Sequence, residues 1–139
     1  MSRVVGRTRD AGFQIGVSRT LPHARERVWA FLTSPEGLAL WLGEGARLEG
    51  VGAEYRTEDG TVGEVRGLRE HDRVRVTWRP ADWDHETTVQ VAVRGDDRTM
   101  LRFHQERLAD AEERERQRAH WQRVMDQVAA ALDPLDARG

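Results

Sequence analysis

The sequence predicts an α+β domain in which a curved antiparallel sheet of seven strands wraps around a long C-terminal helix. Three observations support this prediction. Alternating, extended patterns fill residues 46–106, one long helical pattern follows them, and two short helical segments come directly after the first strand. A sheet with one apolar face must be covered, and the long helix is the obvious cover. If the sheet curves around that helix, the short helices can close its open end.

The strands are predicted from alternating apolar and polar residues. Phe13, Ile15 and Val17 form the first strand, and about six more lie between residues 46 and 106, separated by glycine and aspartate turns. The later inward positions are Val74, Val76, Trp78, Val89, Val91, Val93, Leu101 and Phe103. Continuing the last register places Gln105 on the inward face and His104 on the outward face.

Two short, sharply jointed helices are predicted after the first strand. Pro22 suits a first helical turn, and the apolar spacing indicates about three turns ending near Leu32. The pair Ser34-Pro35 supplies a cap and a new start, so a second helix of about two turns ends near Leu42. The Gly43 to Gly45 loop then stops it.

The long helix begins at a capping box formed by Asp110 and Glu113 and is predicted to run to about Leu132, before Pro134. Its second half carries a clean apolar stripe of Trp121, Val124, Met125, Val128 and Leu132. The preceding EERERQR has almost no apolar residue, so only the second half is expected to pack deeply.

Composition narrows the classes of function. The 139 residues carry 22 basic and 24 acidic side chains and a net charge of −2, which favours neither nucleic acid nor an anionic membrane as partner. Every basic residue is Arg, and Cys is absent, which excludes lysine and thiol chemistry. The chain has no signal-peptide core or spanning segment, so we expect a cytoplasmic protein. We expect a flexible N-terminal segment at 1–12, one domain at 13–133 and a C-terminal tail at 134–139.

An ordered set of residues resembles a known family. The matching positions are Pro22, Val28-Trp29, Pro35-Glu36, Trp41, Arg73-Val74, Thr77-Trp78, Thr99, Leu101, Phe103, Leu108, His120-Trp121 and the segment from Val124 to Leu132. Together they resemble the START-like, helix-grip (SRPBCC) superfamily, and specifically its branch related to the activator of the ninety-kilodalton heat-shock chaperone's ATPase.

The resemblance implies an internal cavity that binds small, mostly apolar molecules. Members of the superfamily include lipid carriers, plant hormone binders, polyketide cyclases, chaperone cofactors and antibiotic self-resistance proteins. Fold alone does not choose among these functions. The chain also departs from the pattern, because Gln105 stands near the end of the last strand where many relatives carry His.

The candidate cavity lies between the sheet and the long helix. Its predicted ligand-binding residues are Trp41, Tyr55, Trp78, Phe103, Gln105, Trp121 and Met125. Trp41 is expected at the rim and the others deeper, because aromatic rings with one polar N–H suit such linings. The alternative for the tryptophans is plain core packing. For Tyr55, Gln105 and Gln117 it is a satisfied core hydrogen bond.

Catalytic and metal signals are weak. No serine lies in a nucleophile context, and we predict no catalytic residue, cofactor or metal. The segment from Asp82 to Glu86 gathers oxygen and imidazole ligands, yet it is more typical of a solvated turn between strands. An enzyme of this fold would have to use His104, Glu106 or His120 as its acid or base.

The leading hypothesis is therefore a non-enzymatic binder of a hydrophobic or polycyclic small molecule, serving sequestration or natural-product self-resistance. Two alternatives stay open: a cyclase or dehydratase that uses the same cavity, and a chaperone-cofactor-like module that binds a protein partner.

Overall fold

A computed structural model describes residues 7–8 and 12–137, with side chains described for residues 12–133. The order of elements is strand, strand, two short helices, five strands and one long helix. The bounds are β1 Arg7–Thr8, β2 Gly12–Leu21, α1 Arg25–Leu32, α2 Pro35–Trp41, β3 Glu54–Arg56, β4 Val62–Arg69, β5 Arg73–Trp78, β6 Thr87–Gly95, β7 Thr99–Leu108 and α3 Ala111–Ala137.

The strands form one antiparallel sheet in the order β1-β2-β7-β6-β5-β4-β3. Residues that lie opposite one another on neighbouring strands form rows across the inward face of the sheet, and these rows follow the predicted alternation. In one row Val74 lies opposite Val91, which lies opposite Phe103, which lies opposite Val17. The neighbouring row contains Gln105 between β2 and β6 and confirms that this residue faces inward.

The count of strands differs from the prediction. Between residues 46 and 106 we expected about six strands, and the structure has five that begin there. The sheet contains a further strand, the two-residue β1, inside the segment expected to be flexible. The region before β3 is irregular because Gly45, Gly50 and Gly52 adopt positive φ angles of 86°, 131° and 91°, which a regular strand does not allow.

The two short helices end where predicted. Helix α1 ends at Leu32 and α2 at Trp41, and the Ser34 hydroxyl accepts the Gly37 N–H at 3.1 Å as an N-cap. The expected start at Pro22 was wrong. Strand β2 continues to Leu21, so α1 begins at Arg25 and has eight residues instead of about three turns.

Helix α3 covers the inward face of the sheet, chiefly against β2, with further contacts to β7 and α2. Asp110 caps it by accepting the Glu113 N–H at 2.8 Å, as predicted. The apolar stripe from Trp121 to Leu132 is at most 3% exposed. The helix continues through Pro134 to Ala137, beyond the predicted end. A proline lacks the backbone N–H, so it removes one hydrogen bond from the helix. So close to the end of the helix, this loss affects only the last few residues.

The described residues cover only part of the expected terminal segments. Within residues 1–12, the pair Arg7–Thr8 and Gly12 belong to strands, and residues 1–6 and 9–11 lie outside the described residues. Of the expected tail, residues 138–139 also lie outside them. Among the described residues, the helices lack the combination of length and apolar character needed to cross a membrane.

Candidate ligand-binding site

The seven residues predicted to line the cavity are all buried in the core. Their exposed fractions are 2% for Trp41, 5% for Tyr55, 8% for Trp78 and 0% for Phe103, Gln105, Trp121 and Met125. The structure brings four of them together where β5, β6 and β7 face α3: Trp78, Phe103, Gln105 and Trp121. The side chains in this group contact one another in the space where the cavity was expected.

Gln105 is the polar centre of this group. Its side-chain carbonyl accepts the Trp121 indole N–H and the Gln117 amide, each at 2.9 Å. Its own amide donates to the Thr87 hydroxyl at 2.9 Å, and that hydroxyl donates to the Trp78 backbone carbonyl at 2.8 Å. Gln105 and Gln117 are thus satisfied core hydrogen-bonding groups, and a chain of bonds connects α3 to β5 through β6 and β7.

Trp41 and Tyr55 also bond within the core. The Trp41 indole N–H donates to the Leu32 carbonyl at 2.9 Å, which ties α2 to the end of α1. The expected position of Trp41 at a cavity rim was therefore wrong, since its ring closes the joint between the short helices. The Tyr55 hydroxyl donates to the Thr77 carbonyl at 2.5 Å. Burial, with the Glu86 carboxylate adding to it, raises the pKa of Tyr55 well above its usual range.

A continuous series of rings runs from the buried core to the surface. Successive ring centroids are 5.0 Å apart for Phe103 and Trp121, 4.7 Å for Trp121 and His120, 6.1 Å for His120 and Trp78, 5.3 Å for Trp78 and Trp83, and 4.9 Å for Trp83 and His85. We call these six residues the aromatic cluster. It joins the sheet, the middle of α3 and the β5–β6 connection.

Two nitrogen atoms in the aromatic cluster are buried without a hydrogen-bond partner among the described residues: Trp78 Nε1 and His120 Nε2. A buried polar atom without a partner costs about 1 to 3 kcal/mol, and such atoms are uncommon in folded proteins. Burial, followed by the nearby Arg123 charge, lowers the pKa of His120, which favours the neutral imidazole. The cluster thus combines large ring faces with two unused polar groups.

The outer end of the aromatic cluster is attached to α3 by His85. His85 Nδ1 lies 2.8 Å from the Asp84 carboxylate, and His85 Nε2 lies 2.6 Å from Glu113 Oε1. Glu113 is only 6% exposed and also accepts the Ala109 N–H at 2.9 Å. Burial lowers the pKa of His85, but the hydrogen bonds to Asp84 and Glu113 outweigh it and raise the pKa overall.

The sequence did not indicate that the β5–β6 connection takes part in this site. The segment from Asp82 to Glu86 was predicted to be a solvated turn, whereas Trp83 is half-buried against Trp78, and His85 contacts Glu113, 28 residues away. The first half of α3 was expected to stay shallow, yet Glu113 and Gln117 are buried. The one available signal was the presence of two aromatic side chains, Trp83 and His85, two positions apart in a connection.

The described residues contain no group of three or more His, Cys, Asp or Glu side chains that could hold a metal ion. His104 and Glu106, considered as an acid or base, lie on the outer face of the sheet, where the imidazole is 2.8 Å from the Gln14 side chain. His120 alone of these three belongs to the aromatic cluster. Its neutral form could accept a proton from a bound molecule.

Comparison with known proteins supports the fold. A family model described as "Activator of Hsp90 ATPase homolog 1-like protein" matches residues 22–133. No curated protein matches the sequence significantly.

Solved structures show the same fold at low identity. CalU16 from Micromonospora echinospora is 18% identical with a TM-score of 0.77, over 95% of this chain and 85% of that one. PFC0360w, an HSP90 activator from Plasmodium falciparum, is 17% identical with a TM-score of 0.74, over 86% of this chain and 96% of that one. DynU16, a protein in the dynemicin biosynthetic locus, is 22% identical with a TM-score of 0.73. The alignment covers 86% of this chain but only 47% of DynU16.

Proposed function

The chain belongs to the family of Activator of Hsp90 ATPase homolog 1-like proteins, and on that premise we propose that it binds an aromatic or polycyclic small molecule at the aromatic cluster. The observation that carries the proposal is the pair of buried nitrogens without partners among the described residues, Trp78 Nε1 and His120 Nε2, beside the half-buried ring of Trp83. A ligand that fills both hydrogen-bonding positions would remove a cost that the empty site bears.

The chemistry of the two nitrogens defines the ligand further. The indole N–H of Trp78 can only donate, so the ligand must offer an acceptor such as a carbonyl oxygen. A neutral His120 can accept from a hydroxyl group. A flat ring system with a carbonyl and a neighbouring hydroxyl would satisfy both and stack on the tryptophan faces.

Trp83 controls access in this proposal. Its ring lies edge-on against Trp78 at 5.3 Å and is half-buried, so displacing it would expose the Trp78 face. The connection from Arg79 to Glu86 is attached near both ends: Arg79 exchanges two backbone hydrogen bonds of 3.0 Å with Val62, and His85 pairs with Glu113. Between them the Trp83 N–H donates to the Pro80 carbonyl at 3.0 Å.

We further propose sequestration of a natural product, such as self-resistance, as the biological role. Similarity to DynU16, from the dynemicin biosynthetic locus, supports this assignment. Binding without turnover also fits the cluster, which holds one candidate proton acceptor and no nucleophile. If His120 does catalyse, the same site would serve a cyclase-type reaction, and product analysis separates the two functions.

The test is a titration with dihydroxyanthraquinone, which carries carbonyl and hydroxyl groups, alongside anthracene as an apolar probe of the same ring number. We expect the first probe to quench tryptophan emission and to raise the melting temperature, because a ligand of the folded state stabilises it by about 2.7 kcal/mol at a hundred times its Kd. Absence of both effects would contradict the proposal. Recovery of the unchanged probe indicates a binder, and a new product indicates an enzyme.

Matched variants identify the site. Trp78→Phe keeps a ring but removes the N–H, so it should weaken dihydroxyanthraquinone binding about tenfold, or ~1.4 kcal/mol, and leave anthracene binding nearly unchanged. Trp29→Phe is the control, because Trp29 is 5% exposed and contacts His71 instead of the aromatic cluster. Equal effects of the two variants would place binding elsewhere.

A further inference from the structure

A second candidate binding surface lies on the outer face of the sheet, away from α3. A groove of about 400 Å³ follows β6 and β7 there. Its lining residues are Gln90, Ala92, Arg94, Met100, Arg102, His104 and Glu106, and we call it the outer groove. Ala92, the smallest of these side chains, lies between Arg73 on β5 and Arg102 on β7.

The charges of the outer groove are unevenly distributed. At one end Glu106 is 3.4 Å from Arg75 and 3.6 Å from His104, so its charge is offset. At the other end Arg94 and Arg102 are exposed and have no ion pair among the described residues. Burial, followed by the Arg102 charge, lowers the pKa of His104, so the positive charge comes from the arginines. A chain of net charge −2 thus presents a local basic surface.

The Arg102 guanidinium lies beside the outer groove, in the space left by the missing side chain of Gly16 on β2. A Cβ atom built at Gly16 would lie 2.8 Å from Arg102 Nη2 and 3.1 Å from its Nε. The guanidinium group therefore lies across the glycine, where any other residue would displace it. Gly16 needs no positive φ angle, so the missing side chain matters here for space and not for backbone conformation.

The two charged groups lie at different positions along the strands. Arg94 lies in the row of Met100, whereas the Arg102 guanidinium lies over Gly16, which is in the row of His104, two outward rows away. Two rows correspond to about 13 Å, four times the rise per residue of a strand. In an extended peptide, side chains at positions i and i+4 point the same way with that separation along the chain. Met100, 40% exposed, adds an apolar contact beside Arg94.

From this arrangement we propose that the outer groove binds an extended acidic segment of a partner protein, with acidic side chains at i and i+4 paired to Arg94 and Arg102. The inference is independent of the small-molecule site, which lies on the opposite face of the sheet. Duplex nucleic acid fits less well, since the net negative charge of the chain opposes a long polyanion. Arginine, with its planar fork of donors, is suited to pairing with carboxylates.

The experiment is fluorescence anisotropy with a labelled eight-residue peptide that alternates Glu and Ser, at low ionic strength. We expect saturable binding that weakens as salt is added. The double variant Arg94→Gln/Arg102→Gln should weaken it at least about tenfold, the range for two charge-assisted contacts. Gly16→Ala keeps every charge but displaces the Arg102 guanidinium, and should weaken binding about threefold by loss of positioning.

The controls separate a groove from general attraction between charges. Arg116→Gln/Arg123→Gln removes the same charge from exposed positions on α3 and should leave the Kd within about twofold. The proposal is overturned by absence of binding or by equal weakening in the two double variants. It is also overturned if a Gln-for-Glu peptide or a single-stranded oligonucleotide of equal charge binds as tightly. Melting temperatures within a few degrees of the unmodified chain confirm that the variants fold.

Discussion

The indole N–H of Trp121 on α3 donates to the side-chain carbonyl of Gln105 on β7 at 2.9 Å, and both residues are fully buried. This bond joins the covering helix to the centre of the sheet. Because Gln117 donates to the same oxygen and Thr87 accepts from the Gln105 amide, one side chain satisfies polar groups on two other elements. Gln105 is therefore a structural centre of the fold beneath the proposed binding site.

Replacing Gln105 tests that conclusion. Gln105→Leu keeps similar volume but leaves the Trp121 N–H and the Gln117 amide buried without their acceptor, so the free energy of unfolding should fall by ~2 to 4 kcal/mol. Urea unfolding followed by circular dichroism measures it. Gln122→Leu, at an exposed position on α3, is the control and should change stability by under about 0.5 kcal/mol. A similar loss in both variants would contradict the buried network.

Trp41 should matter for stability and not for ligand binding. Trp41→Phe removes the N–H that the Leu32 carbonyl accepts and leaves unfilled volume, for an expected loss of ~1 to 3 kcal/mol. Binding of dihydroxyanthraquinone to the folded variant should remain within about twofold of the unmodified chain, as measured by quenching. A tenfold loss of binding with unchanged stability would restore Trp41 to the rim of a cavity.

Gly37 is required by the close approach of α1 and α2. A Cβ atom at this position would lie 1.9 Å from the Phe31 carbonyl oxygen, so Gly37→Ala forces the helices apart and should cost ~1 to 3 kcal/mol. Gly67→Ala is the control, because its Cβ would meet only the Arg75 Cβ at 3.7 Å, an ordinary contact. Thermal and urea unfolding of both variants measure the two losses of stability. A Gly37→Ala variant as stable as the unmodified chain would contradict the close approach of α1 and α2.

The His85 pair predicts a pH dependence of stability. The folded pKa of His85 is raised above its unfolded value of 6.5, so its stabilising contribution is complete below that pH and is lost as the pH rises through the folded pKa. The lowered pKa of His120 has the opposite effect: the free energy of unfolding decreases as the pH falls below 6.5, because the unfolded chain then binds a proton that the folded His120 does not.

His85→Gln isolates the first of these effects. The unmodified chain should exceed the variant in stability most at about pH 6, and the difference should shrink by about pH 8, because the imidazolium charge is then lost. Urea unfolding at several pH values measures the difference. A difference that grows with pH would show that the neutral imidazole, and not the ion pair, holds the β5–β6 connection.

Local patterns in the sequence were sufficient for the elements and their faces. Alternation in β5 to β7 placed Val76, Val89 and Phe103 inward, and Asp110 with Glu113 marked the start of α3, because side-chain direction and capping depend on neighbours a few residues away. The ends of α1 and α2 followed from Ser34-Pro35 and the glycines for the same reason. The strand count before β3 failed because glycines with positive φ angles interrupt an apparently extended segment.

Tertiary structure alone decided which side chains meet. The contacts between His85 and Glu113, Trp78 and His120, and Gln105 and Trp121 join residues 16 to 42 positions apart in the chain, and they depend on the register of the sheet and the rotation of α3. The same holds for Trp41, whose amphipathic ring suited either a rim or a core until the packing of α2 on α1 supplied the Leu32 carbonyl. Periodicity reports which face a residue occupies, but packing between distant elements determines its partner.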